Sequence, residues 1–112
     1  MALSHPDYSD LDYDEMAKNI GLKSKHIPLL LSSYIEETEP LLATLKSAID
    51  GDDYATIRAA AHSLKGSSGN LRFNELYEMA KEMEVAGAEA DTTFEYAKYL
   101  EAMTRAVSTI KI

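Results

Sequence analysis

Apolar residues recur at three- and four-residue spacing along most of the chain, and no stretch alternates apolar with polar as a half-buried strand would. The pattern predicts a short helix from Leu11 to Asn19, stopped at Gly21. Ser24 is placed to cap a long second helix ending at Gly51, with Ile27, Leu30, Tyr34, Leu41, Leu45 and Ile49 facing inward. Pro28 falls in its first turn, where the missing N–H matters least; Pro40 falls mid-helix and is expected to kink it. Asp52 or Asp53 caps a third helix that ends near Asn70 or Leu71. Asn74 is expected to cap a fourth, closed by Gly87, with Leu76, Ala80 and Met83 inward. Thr92 and Glu95 have capping-box spacing ahead of a last helix carrying Tyr96, Leu100, Met103, Val107 and Ile110 on one stripe. Short connections make neighbouring helices antiparallel. The expected fold is all-α: an antiparallel up-down-up-down four-helix bundle with a short additional N-terminal helix as a lid. Residues 1–9 are expected to form a flexible tip, and residues 10–112 a single domain.

Composition narrows the function. A net charge of −8 argues against nucleic acid as the main partner, because phosphate backbones select basic faces. Cysteine is absent, so disulfides and thiolate metal sites are unavailable. The longest apolar run, Ile27 to Leu31, is too short to cross a bilayer, and Met1 to Asp14 lacks a signal-peptide pattern; a cytoplasmic location is the expectation.

Chemistry concentrates in Ala60-Ala61-His62-Ser63-Leu64-Lys65-Gly66-Ser67-Ser68-Gly69-Asn70. Wound at about 100° per residue, Ile57, Ala61, Leu64, Ser68 and Leu71 share one face. Arg58, His62, Lys65, Gly66 and Gly69 share the other. The histidine therefore points away from the core, between two cations, with glycines clearing the space on its C-terminal side. Glycine within a helix costs about 1 kcal/mol against alanine, so two beside one imidazole suggest a surface shaped for close approach.

The run AAHSLKGSSGNL, preceded by GDDYATIRA and followed by NELYEMAKEMEVAG, resembles histidine-containing phosphotransfer (HPt) domains of two-component phosphorelays. The resemblance rests on His62, Leu64, Lys65, Gly66, Ser67 and Ser68, and covers nearly the whole chain, including the mid-helix Pro40. It implies that His62 is the phosphoacceptor, that Lys65 offsets charge on the phosphoryl oxygens and that Gly66 gives access. Glu84 matches a position from which the family often orients the ring. Supporting roles for Arg58, Ser67, Ser68, Gly69 and Glu84 stay open. Many members have glycine shortly after the asparagine-apolar pair, where this chain has Arg72 and Phe73.

The implied function is a monomeric phosphocarrier without autokinase activity. It would take the group from a receiver-domain aspartate and pass it to another receiver, with a hybrid sensor histidine kinase upstream and magnesium held by the receiver. No cofactor or metal is expected in this chain. One alternative is a helical interaction module that binds a receiver or kinase without transfer. A small metal-dependent helical enzyme is disfavoured because no Glu-x-x-His pair is present. The acidic run from Asp10 imitates an EF-hand loop but has Glu15 and Gly21 where glycine and glutamate are needed. Gly66-Ser67-Ser68-Gly69 lacks the Gly-Lys of a P-loop, and His5 and His26 read as plain surface residues.

Overall fold

The computed structural model describes residues 1–112, and all its regular secondary structure is helical. Its α-helices are α1 (Tyr13–Ile20), α2 (Ile27–Asp50), α3 (Tyr54–Asn70), α4 (Asn74–Ala88) and α5 (Tyr96–Ser108), with a 3-10 turn at Ser24–His26. Asp12 caps α1 by accepting from the Glu15 N–H, and Gly21 closes it in the left-handed conformation that glycine adopts without steric cost. Ser24 starts the 3-10 turn and does not cap α2. The longer helix is continuous through Pro40. That proline is exposed, as is Glu36, whose carbonyl loses its usual N–H donor, so water is available to replace it.

The inward stripe of α2 differs from the expected one. Ile27, Leu31, Tyr34, Thr38, Leu42, Leu45 and Ala48 are buried, while Leu30, Leu41 and Ile49 are only half-buried. The consecutive leucines at 29–31 and 41–42 leave the helix phase ambiguous in sequence, and the phase adopted requires a threonine in the core. Thr38 is accommodated because its hydroxyl donates to the Tyr34 carbonyl at 2.8 Å.

Caps differ in two other places. Asp53 caps α3 as expected, accepting from the Thr56 N–H. Asn74, by contrast, is the first residue of α4 and the cap position is Phe73, whose ring is buried against Tyr8 and Tyr34. Nor do Thr92 and Glu95 form a capping box. Asp91 accepts from the Thr93 N–H, and α5 starts at Tyr96 without a side-chain cap. Gly87 lies inside α4, which continues to Ala88.

Side-chain contacts give the order and sense of the helices. Tyr34 near the start of α2 meets Ser68 near the end of α3. Gly69 lies against Tyr77, and Gly87 against Tyr54 and Arg58, so α3 and α4 run in opposite directions. Ile49 and Asp50 share a groove with Ala97, while Ile35 shares one with Ile110, which makes α2 and α5 antiparallel too. The core runs down the middle, centred on Leu31, Leu45, Ile57, Leu64, Leu76, Met79, Met83 and Met103. Residues 1–9, expected as a tip, have no regular secondary structure and lie along the bundle. The Tyr8 N–H donates to Thr109 Oγ1 at 2.8 Å, its hydroxyl donates to Glu75, and the Ala2 N–H donates to Glu82.

One polar pair within the core allows a stability test. The Tyr34 hydroxyl and Ser68 Oγ are 2.7 Å apart and buried. Burial also pushes the Tyr34 pKa up to about 12, so the phenol stays neutral. Ser68→Ala leaves a buried hydroxyl without its partner and is expected to cost about 1–3 kcal/mol, whereas adding Tyr34→Phe removes both groups and recovers most of the loss. Denaturant unfolding of the two single variants and the double variant checks this: additive costs would show that the bond is not the source.

Candidate functional site

The site is built on α3 and completed by α4. The inward face of α3 (Ile57, Ala60, Ala61, Leu64 and Ser68) is buried, which forces His62, one position past Ala61, to the outside. Its side chain is 66% exposed. The α4 helix buries Leu76, Met79, Ala80, Met83 and Ala86, placing Glu84 at the seam between the two helices.

Glu84 holds two groups at once. Its Oε2 is 2.6 Å from His62 Nδ1, and its Oε1 accepts from Lys65 Nζ, also at 2.6 Å. The Lys65 hydrogen bond holds the Glu84 pKa below the usual glutamate range against the opposing effect of burial, and His62 adds to this. The same bond raises the Lys65 pKa. An ionised carboxylate can only accept, so the short Nδ1 contact requires the proton to sit on Nδ1. In the neutral ring, Nε2 is then left with a free lone pair on the exposed edge.

The other predicted residues separate into distinct groups. A Cβ at Gly66 would meet nothing within 4 Å, so the flank beside His62 is open. Arg58 is exposed one turn before the histidine. Ser67 donates to Glu37 of α2, a residue with no sequence signal of a role. Ser68, expected as a possible supporting residue, lies outside the site: it is fully buried and bonded to Tyr34 in the core. Gly69 lies under Tyr77, where a Cβ would come within 3.1 Å of the ring, so it serves helix packing rather than access to the imidazole. Arg72 takes the left-handed conformation, with φ of 61°, at the point where many relatives have glycine. Its guanidinium donates back to the Gly69 carbonyl at 3.0 Å, capping the end of α3 and offsetting the steric cost.

Two carboxylates of the acidic run that begins at Asp10 have structural partners. Asp12 caps α1 and Asp14 accepts from the Ser24 hydroxyl. No group of three or more histidine, aspartate or glutamate side chains is arranged to hold a metal ion. No helix is long and apolar enough to cross a membrane. The largest groove, between α2 and α5, is lined by residues such as Ile35, Leu42, Leu100 and Val107 and includes none of the site residues.

The α3–α4 seam thus presents an exposed imidazole whose Nδ1 is held by a carboxylate and whose flank is open. The family model described as "Hpt domain" matches residues 29–110, 82 of the 112 residues. The chain belongs to the Hpt domain family, whose members carry phosphoryl groups in two-component signalling through receiver domains and kinases. No curated protein and no solved structure matches the chain. The family match begins within α2, so α1 and the segment packed along α4 and α5 lie outside it.

Proposed function

We propose that His62 is the phosphoacceptor of this domain, taking the group from the aspartyl phosphate of one receiver domain and passing it to the aspartate of another. The observation that carries this reading is the 2.6 Å contact between Nδ1 and Glu84 in an otherwise exposed imidazole. The Nε2 lone pair forms the N–P bond while the O–P bond of the acyl phosphate breaks and its electron pair leaves with the carboxylate. No proton has to move during that step. The ring keeps its proton on Nδ1 and gains positive charge, which the Glu84 carboxylate facing Nδ1 stabilises. In the reverse direction the ring departs as neutral imidazole, a good leaving group.

Lys65 is within one helical turn of His62 and can offset phosphoryl charge by exchanging Glu84 for the incoming oxygens. Arg58 and Gly66 are placed to steer and to admit the partner. The remaining machinery, including the magnesium ion, belongs to the receiver. Transfer through a loose transition state needs alignment and charge stabilisation, which a rigid helical support supplies. We read the domain as a monomeric cytoplasmic carrier without kinase activity of its own.

Incubation with a phosphorylated receiver domain tests the proposal. The domain should gain an acid-labile, alkali-stable phosphate and return it to a second receiver. Stable binding of receivers without labelling would favour the interaction-module alternative.

A further inference from the structure

The reach of Glu84 depends on how closely α3 and α4 approach, and one turn away, at Gly87, the two helices are in close backbone contact. A Cβ on Gly87 would lie 3.0 Å from the Arg58 backbone nitrogen, 3.2 Å from the Tyr54 carbonyl oxygen and 3.2 Å from Ile57 Cγ2. Two of these three atoms belong to the α3 backbone and can yield only if the helix itself moves. Gly87 is three residues after Glu84, and Arg58 is four before His62, so the close contact and the Glu84–His62 contact occupy successive turns of one antiparallel seam. At the other end of the seam Gly69 faces Tyr77, where the neighbour is a ring at the surface that can turn aside. Between these glycines, the Glu84 carboxylate spans to both His62 and Lys65 at 2.6 Å.

We propose that Gly87 is a positioning residue for the His62 reaction: by letting the α4 backbone sit directly on α3, it sets the helix separation at which Glu84 holds the Nδ1 proton. This inference rests on the phosphoacceptor reading for its consequence, but not for its geometry. A side chain at position 87 pushes the helices apart next to the site and stretches the carboxylate contact, while His62 itself stays exposed.

The test uses the full chain with 15N-labelled histidine, comparing Gly87→Ala and Gly87→Val with the parent. Two signals are read: the NMR resonance of the His62 Nδ1 proton, and the rate of phosphorylation by phosphoramidate, a small donor that needs no docking surface. Gly87→Ala should shift the Nδ1–H resonance toward that of an unbonded ring and slow labelling by a few-fold; Gly87→Val should slow it by about tenfold or more, as sub-ångström to 1 Å misplacements do. Gly51→Ala is the control, since its Cβ would meet only the Ser47 carbonyl at an ordinary 3.5 Å. Folded Gly87→Ala protein with an unchanged Nδ1–H signal and unchanged rate would overturn the proposal, whether or not the valine variant folds. A parent that shows the signal, loses it on Gly87→Ala and takes no phosphate from any donor would support the spacer and refute the phosphoacceptor assignment instead.

Discussion

His62→Gln should lose all phosphate uptake from a phosphorylated receiver while remaining as stable as the parent. The chemistry follows from the loss of the only exposed ring nitrogen at the α3–α4 seam: glutamine can still bond to Glu84 through its amide N–H, but it has no lone pair basic enough to attack phosphorus. The stability expectation follows from burial. The imidazole is 66% exposed, and an exposed substitution away from the core is usually worth within about 0.5 kcal/mol. Lys65 stays with Glu84 and the inward face of α3 is untouched. Transfer assays paired with thermal melts check both halves. A labelled His62→Gln protein would place the acceptor elsewhere, and an unfolded one would show that the ring has a structural role.

The second large effect is expected at Glu84. Glu84→Ala frees the imidazole to choose its tautomer and rotamer and removes the charge opposite Nδ1, so transfer should fall on the order of tenfold to a hundredfold, by analogy with the loss of a carboxylate that orients a metal-bound histidine. Glu84→Gln retains an acceptor for Nδ1–H and loses only the charge, so it should fall less. The ranking parent, Gln, Ala separates orientation from electrostatics. Equal losses in the two variants would assign everything to charge, and no loss in either would remove Glu84 from the mechanism.

The same carboxylate predicts a pH signature. The Glu84 pKa is lowered in the folded protein, so its contribution to stability is present above the ordinary glutamate range and disappears as pH falls through the lowered value. The Lys65 pKa is raised, so its contribution is present below the ordinary lysine value and disappears as pH rises through the raised one. The stability difference between the parent and Glu84→Gln should therefore be lost as pH falls through the lowered Glu84 value. Melting curves in acid measure it; a difference that persists once the carboxyl is protonated would contradict the assigned ionisation.

Much of this site was legible in the sequence because it lies on one helix. Periodicity alone placed His62, Lys65 and Gly66 away from Leu64 and Ala61, and the structure leaves the imidazole exposed and the Gly66 flank open. Contacts between helices were harder to see. Glu84 was visible as a candidate only through the family resemblance, since nothing in the residues around it fixes which part of α4 faces α3. Gly87 read as a helix terminator because glycine often follows a last turn; its use as a buried crossing point needs knowledge of the neighbouring backbone. Ser68 shows the opposite failure. Its place on the inward face was apparent, yet its hydroxyl suggested chemistry, and only the position of Tyr34 shows that the core satisfies it. The misplaced phase of α2 has a similar origin, as Thr38 is acceptable in the core only because of its bond to its own helix backbone.

NMR of the 15N-histidine-labelled domain, after equilibration with a phosphorylated receiver, shows which nitrogen takes the phosphoryl group. A single new N–P linkage at His62 Nε2 is expected, with the Nδ1 proton retained and still bonded to Glu84. Phosphate found on Nδ1, on His5 or His26, or on no histidine while receivers exchange it among themselves would contradict it.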